Sequence, residues 1–127
     1  MEKHQSSKVK LYFDKNSKEW NDLYSENDLG SLILKQRKKL VIDYIKSLNL
    51  PDDSKILDIG CGAGLFIKEL ATNNYQLTGI DISEDMIKNA ILNCQNFKNV
   101  KFICANIENY KIVDEEFDVI IMSGLIE

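Results

Sequence analysis

Apolar and polar stretches alternate along residues 55–123 in a pattern that predicts strands and helices in turn. Four apolar runs have the length of buried strands and lie at residues 55–59, 75–80, 100–105 and 117–123. Residues 65–72 and 84–93 separate the first three runs and carry apolar side chains at helical spacing. Strands that alternate with helices predict an α/β fold with a parallel sheet.

The first part of the chain divides into a polar segment and one long helix. Residues 31–49 predict the helix, with Ser31 as its N-cap. Its predicted apolar stripe consists of Val41, Tyr44, Ile45 and Leu48. Residues 1–30 show no clean period and contain scattered aromatic side chains, so we interpret them as an arm. The arm either closes over a ligand site as a lid or packs on the domain surface.

A glycine-rich loop joins the first predicted strand to the helix that follows it. Gly60, Gly62 and Gly64 occupy alternate positions in this loop. Glycine adopts positive φ without strain and lets a ligand approach the backbone, and the first N–H groups of the next helix face that ligand. A strand, a glycine turn and a helix in this order are typical of nucleotide-binding α/β folds.

Charged residues around the loop indicate the kind of ligand. A dinucleotide loop reads G-x-G-x-x-G, but position 65 is Leu and the third glycine is Gly64. Asp58 lies two residues before the first glycine, where a carboxylate repels a pyrophosphate and suits a ligand with an ammonium group. Asp81 ends the second predicted strand at the separation from the loop where a carboxylate accepts hydrogen bonds from a ribose diol. An NAD-type dehydrogenase is therefore a less favoured alternative.

Residues 58–64, Asp-Ile-Gly-Cys-Gly-Ala-Gly, resemble the first motif of the class I S-adenosylmethionine-dependent methyltransferases. The run that begins with Phe117 and Asp118 is similar to the fourth motif of that family. The resemblance implies a Rossmann-like sheet with helices on both faces, S-adenosyl-L-methionine as cofactor and a small-molecule methyl acceptor. It implies that the cofactor is bound by Asp58, Gly60, Cys61, Gly62, Gly64, Asp81, Ile82, Met86, Asn106, Ile107 and Ser123.

Two of these residues, Asn106 and Met86, are not assigned to the cofactor by the resemblance alone. An acidic residue usually stands in the family where this chain has Asn106, whose amide oxygen can still accept a hydrogen bond from the adenine amino group. Met86 has two interpretations, contact with adenine or packing in the core. No catalytic base is predicted, since His4 lies in the arm and Glu127 is the last residue.

The resemblance covers residues 55–127 well and residues 10–54 loosely, where the arm is similar to those of quinone- and porphyrin-type methyltransferases. Complete domains of the family have seven strands. We therefore expect residues 31–127 to form a domain whose sheet is truncated after its fourth parallel strand. That strand would be an edge able to pair with a second chain. A non-catalytic module that binds the cofactor or a partner is an alternative.

The composition limits the classes of binding partner and the cellular compartment that we expect for this chain. The 127 residues include 16 Lys and Arg and 20 Asp and Glu, a net charge of −4. The acidic excess lies in residues 51–127, so general affinity for nucleic acid is not expected. No run reaches the roughly 20 apolar residues of a membrane span. The three cysteines form no C-x-x-C pair, so we expect no metal site and a reducing, cytoplasmic location.

Overall fold

Helices and strands alternate along the part of the chain that the computed structural model describes, residues 29–110 and 116–122. The helices are α1 (Leu29–Ser47), α2 (Leu65–Leu70) and α3 (Glu84–Asn93). The strands are β1 (Lys55–Ile59), β2 (Gln76–Asp81), β3 (Val100–Cys104) and β4 (Val119–Ile121). The four predicted strands are confirmed, with ends that shift by at most two residues, and the predicted helix at 84–93 is confirmed.

The four strands are parallel and lie in the order β3-β2-β1-β4. The chain moves outward from β1 to β2 and β3, and β4 then pairs with the other side of β1. In open parallel sheets, ligands bind beyond the carboxyl ends of the strands, where the strand order reverses. That point lies beside β1, and the glycine loop leaves β1 there. The predicted Rossmann-like parallel sheet is confirmed.

The described helices pack on one face of the sheet. Successive side chains of a strand point to opposite faces, so alternate residues such as Ile56, Leu77 and Ile121 line this face. The helices contribute Ile42, Ile45, Ile67, Leu70 and Ile87 to the same cluster. This packing holds α2 and α3 beside the carboxyl ends of β1 and β2.

The opposite face is covered without a helix in the described residues. Leu57, Ile59 and Ile80 line it. Ile103 of β3 packs there, and so do the segments that follow β3 and precede β4, through Ala105, Ile107, Tyr110 and Phe117. The sequence predicted helices on both faces, whereas the described helices all lie on one.

Helix α1 starts earlier than predicted. It begins at Leu29, inside the predicted arm of residues 1–30, and residues 1–28 lie outside the described part of the chain. Ser31 is a fully buried residue of the first helical turn, so its predicted role as the N-cap is wrong.

Helix α1 buries only part of the predicted stripe. Ile45 is buried and Val41 is half-buried against the core, as predicted. Tyr44 is 66% exposed and Leu48 is 42% exposed, whereas Ile42, which was not predicted, is buried. Both sets of residues satisfy helical spacing, so the periodicity alone does not decide which face meets the sheet.

Among the described residues, no helix combines the length and the apolar character that a membrane span requires.

Candidate functional site

The glycine loop has the backbone conformation that its sequence predicts. Gly60, Gly62 and Gly64 have φ angles of 74°, 55° and 78°. Residues with side chains rarely adopt this left-handed region. At Gly64 a side chain would also collide, because a Cβ atom there would lie 3.0 Å from Phe102 Cζ and 3.1 Å from Ala90 Cβ. The loop therefore lies close to both helix α3 and strand β3.

The beginning of the loop is attached to the neighbouring strand β2. The N–H groups of Gly60 and Cys61 both donate hydrogen bonds to the Ile80 carbonyl oxygen, at 2.8 and 3.0 Å. Within the loop, the Gly64 N–H donates to the Cys61 carbonyl at 3.0 Å and closes a tight turn. The sharp change of direction after β1 is thus fixed by backbone bonds.

Asp81 connects the glycine loop to the start of helix α3. Its Oδ2 atom accepts a hydrogen bond from the Gly62 N–H at 2.8 Å. Its Oδ1 atom accepts one from the Ser83 N–H at 2.9 Å. Hydrogen bonds from N–H donors stabilise an ionised carboxylate, and this side chain is only 8% exposed. Asp81, which was predicted as a site residue from its separation along the sequence from the loop, therefore contacts the loop directly.

Asp58 is a second carboxyl group close to the loop. It lies in β1, opposite Gly79 in β2, and is 2% exposed. Burial, and secondarily the negative charge of Asp81, raises the pKa of Asp58 from 3.8 to about 8. The carboxyl group is therefore mostly protonated at neutral pH. A cationic group placed beside it would favour its ionised form.

Cys61 is a buried thiol rather than a nucleophile. Burial first, and then the charges of Asp58 and Asp81, raise the pKa of its thiol well above 9.0. The reactive form of cysteine is the thiolate, which this environment disfavours. Its side chain instead fills space: a Cβ atom on Gly79 would lie 2.9 Å from the Cys61 sulfur.

Helix α3 begins at Glu84, three residues after Asp81. Ser83 is its N-cap, and the Ser83 hydroxyl accepts a hydrogen bond from the Met86 N–H at 3.1 Å. Ile82, between the two, is half-buried. Met86 is 2% exposed, and its sulfur lies 3.9 Å from the place where Gly62 would carry a Cβ atom. Met86 thus supports the loop from the core side.

Asn106 follows β3 and caps a short turn. Its side-chain oxygen accepts a hydrogen bond from the Glu108 N–H at 3.0 Å, and its carbonyl oxygen accepts bonds from Asn109 and Tyr110. The Ala105 N–H donates to the Asp81 carbonyl at 3.0 Å, which holds this turn at the same edge of the sheet. The Asn106 side-chain oxygen, which was predicted to accept from the adenine amino group, thus already accepts a hydrogen bond from a neighbouring residue.

Some predicted positions are placed elsewhere. Ile107 is half-buried and packs in the cluster with Leu57, Ile59 and Ile80. Ser123 and His4 lie outside the described residues.

Sequence reasoning missed two side chains that contact the loop. The Asn93 amide nitrogen donates to the Ala63 carbonyl at 2.9 Å. The Cys94 thiol donates to the Gly64 carbonyl at 3.7 Å. Both lie 30 residues from their partners, and the sequence carries no local signal of these contacts.

A protein-family model described as a methyltransferase domain matches residues 50–127. The chain belongs to this family. The match includes all four strands, the glycine loop and Asp81, so the resemblance to class I methyltransferases is confirmed on the elements that form the site.

Individual relatives agree with this membership. The chain is 34% identical over 118 residues to the ubiquinone biosynthesis O-methyltransferase of Rickettsia prowazekii, which spans 91% of this chain and 46% of the relative. It is 38% identical over 85 residues to an uncharacterised methyltransferase of Schizosaccharomyces pombe, which spans 65% of this chain and 31% of the relative. The chain thus spans less than half the length of these curated relatives.

A solved structure shows the same fold. Magnesium protoporphyrin IX methyltransferase from Synechocystis PCC 6803, crystallised with bound SAH, superposes with a TM-score of 0.78 at 19% identity. The superposition covers 91% of this chain and 56% of that chain. At this identity the likeness establishes the fold alone.

Proposed function

We propose that this chain forms the S-adenosyl-L-methionine-binding part of a small-molecule methyltransferase. The observation that carries the proposal is the hydrogen bond from the Gly62 N–H to Asp81. This bond joins the glycine turn to the carboxylate to which we assign the ribose, and the buried carboxyl group of Asp58 lies close to the same loop. Membership in the methyltransferase-domain family supports the same conclusion.

The donors and acceptors at this edge fit such a ligand in type. Asp58 suits the ammonium group of the methionine part, because a nearby cation compensates the cost of ionising a buried carboxyl. The two backbone N–H groups orient the Asp81 carboxylate, and a carboxylate is a strong hydrogen-bond acceptor of the kind that suits a ribose diol. The glycine turn, with Cys61 and Ile82 beside it, would lie against the ligand.

The adenine contacts are less specific than the sequence predicted. The Asn106 oxygen already accepts the Glu108 N–H, so an adenine amino group would have to share that oxygen. Met86 is buried beneath the loop, and we assign it packing rather than adenine contact. Ile107 and Ser123 stay predicted contacts.

The chemistry that the cofactor supplies is a methyl group on a positively charged sulfur, ready for displacement by a nucleophile. The protein contributes by holding that carbon in line with the acceptor atom and by excluding alternative geometries. In this chain the buried residues around the glycine turn provide a rigid platform. Acceptors that lose a proton also require a base, and we assign none.

We propose a small molecule as the acceptor. The relative from Rickettsia prowazekii is named for ubiquinone biosynthesis and the similar structure for magnesium protoporphyrin IX. The net charge of −4 also disfavours a general electrostatic attraction to nucleic acid.

Calorimetric titration with S-adenosylhomocysteine tests the proposal. We expect the wild-type chain to bind one equivalent and Asp81→Asn to bind at least about tenfold more weakly, a loss of ~1.4 kcal/mol, since a carboxylate accepts stronger hydrogen bonds than an amide. Asp118→Asn is the matched control. The Asp118 carboxylate accepts the Lys55 N–H at 2.7 Å at the amino end of β1, away from the loop. A folded wild-type chain that does not bind would refute the proposal.

A cofactor-binding module without transfer activity is the second candidate. It is favoured because neither carboxyl group at the described site is placed as a general base. Asp58 is buried, and Asp81 accepts hydrogen bonds from two backbone N–H groups. Incubation with methyl-labelled cofactor and a panel of phenolic and carboxylic acceptors distinguishes the two, since binding without label transfer identifies the module.

Two further expectations are proposals of the same kind. Pairing of two chains along β4 would appear as a dimer in light scattering at high concentration. A cytoplasmic location would be seen by imaging a tagged chain in its own cell.

A further inference from the structure

The glycine loop is held on its carbonyl side as well as on its N–H side. Two side chains at the carboxyl end of α3 donate to consecutive carbonyl groups of the loop. They are the Asn93 amide, which donates to Ala63 at 2.9 Å, and the Cys94 thiol, which donates to Gly64 at 3.7 Å. A carbonyl oxygen only accepts hydrogen bonds, so the amide nitrogen of Asn93 must be the atom that faces Ala63.

The stronger of these two contacts acts on a peptide unit that is also bound at its other end. The Ala63 carbonyl and the Gly64 N–H belong to the same planar peptide group. Asn93 holds the carbonyl, and the Gly64 N–H donates to the Cys61 carbonyl at 3.0 Å. Rotation of this peptide would break both bonds. The Asn93 contact therefore fixes the orientation of the turn from Cys61 to Gly64.

Adjacent residues of the loop are held from two different elements. The Gly62 N–H donates to Asp81, the last residue of β2. The Ala63 carbonyl accepts from Asn93, the last residue of α3. The loop is thus attached both to the strand beside it and to the helix that packs against it.

We propose that Asn93 is a positioning residue that sets the conformation of the glycine loop for cofactor binding. This inference rests on the proposed function, because it assumes that the outer face of the loop contacts the cofactor. Asn93 itself acts through the Ala63 carbonyl on the core side of the loop and makes no contact with the ligand.

A matched control exists at the other end of the sheet. Asn99 also uses its amide nitrogen to hold earlier carbonyl groups, those of Ala71 at 3.2 Å, Asn73 at 3.3 Å and Tyr75 at 2.8 Å. It lines a cavity of about 350 Å³ beside the amino ends of the strands, remote from the loop. Asn99→Asp therefore makes the same chemical change as Asn93→Asp without touching the site.

The test measures the S-adenosylhomocysteine dissociation constant and the melting temperature of both variants. Asn93→Asp should weaken binding about tenfold or more, because an ionised carboxylate faces the Ala63 carbonyl and cannot donate to it. Asn99→Asp should lower the melting temperature while the dissociation constant stays within about twofold of the wild type. Equal changes in affinity for the two variants, or no change for Asn93→Asp, would overturn the inference.

A pH profile separates positioning from a general loss of stability. Protonation turns the new carboxyl group of Asn93→Asp into a donor, so its affinity deficit relative to the wild type should shrink as the pH is lowered. A deficit that is constant with pH would count against the hydrogen bond to Ala63.

The ligand-free protein supplies a measurement that does not depend on the proposed function. If the wild type fails to bind S-adenosylhomocysteine, the proposed function fails, but amide hydrogen exchange still reports on the loop. Asn93→Asp should accelerate exchange of the Gly64 amide about tenfold or more relative to Asn99→Asp. Equal exchange rates in the two variants would overturn the positioning role.

Discussion

Replacing Asp58 with asparagine should remove a pH dependence of stability that the wild-type chain has between about pH 5 and pH 7. Burial, with a smaller contribution from Asp81, raises the pKa of the Asp58 carboxyl from 3.8 to about 8 in the folded chain. In the unfolded chain the carboxyl returns to its ordinary range. Through this window the folded chain therefore keeps a proton that the unfolded chain has released.

The size of the effect follows from this difference in proton binding. Because the folded state binds more protons, the free energy of unfolding decreases as the pH rises. Each pH unit inside the window lowers it by ~1.4 kcal/mol, so two units lower it by roughly 3 kcal/mol. The decrease begins above the unfolded pKa and ends above the folded value of about 8. It is a large fraction of a typical stability of about 5–15 kcal/mol.

Urea unfolding of the wild type and Asp58→Asn at several pH values measures this contribution. Titrating groups that do not interact with Asp58 affect both proteins equally, so the difference between their free energies of unfolding reports on Asp58 and its coupling to Asp81. Asp58→Asn should gain roughly 3 kcal/mol relative to the wild type from pH 5 to pH 7. A difference between wild type and Asp58→Asn that is constant with pH would refute protonation of the folded carboxyl.

Three further predictions concern the same loop and helix. Gly64→Ala should destabilise the fold by roughly 2–4 kcal/mol in urea unfolding, because of the positive φ and of crowding against Phe102. Gly62→Ala has room for a Cβ atom and should cost only ~1–2 kcal/mol. Equal losses of stability in the two variants would contradict the crowding at Gly64. Ser83→Ala should lower thermal stability by about 0.5–2 kcal/mol, because the N-cap bond to the Met86 N–H is lost, whereas Ser83→Thr should retain most of it. Binding of S-adenosylhomocysteine at neutral pH should release up to one proton, measured by calorimetry in buffers of different ionisation heat, and Asp58→Asn should abolish this release.

Elements with local signals could be predicted from the sequence. Ser83 is followed by two acidic residues that favour a helix start, and α3 begins there. The alternate glycines predicted a turn with positive φ, and all three adopt it. In both cases the deciding interaction lies within a few residues, so the sequence alone contains it.

Other features depend on partners that a sequence pattern does not reveal. The stripe predicted on α1 was right at Ile45 but wrong at Tyr44, because Ile42 and Tyr44 both fit a helical period and only the sheet beneath selects the buried one. The Asn106 side chain binds the nearby Glu108 N–H, a local competition to which asparagine is prone. The contact between Asn93 and Ala63 spans 30 residues and exists only once α3 packs beside the loop.

The two carboxyl groups of the site differ in charge because their surroundings differ. Asp81 receives two backbone N–H groups that stabilise its ionised form, whereas Asp58 lies inside β1 and its ionisation is opposed by burial and by Asp81 itself. At neutral pH the site therefore presents one negative charge in place of the two that the sequence suggests. A ligand with an ammonium group creates the second charge by displacing the Asp58 proton. With a pKa of about 8, removing the Asp58 proton costs ~1.4 kcal/mol at pH 7. A neutral analogue without the ammonium group would avoid this cost, but it would also lose the ion pair with Asp58 that offsets it.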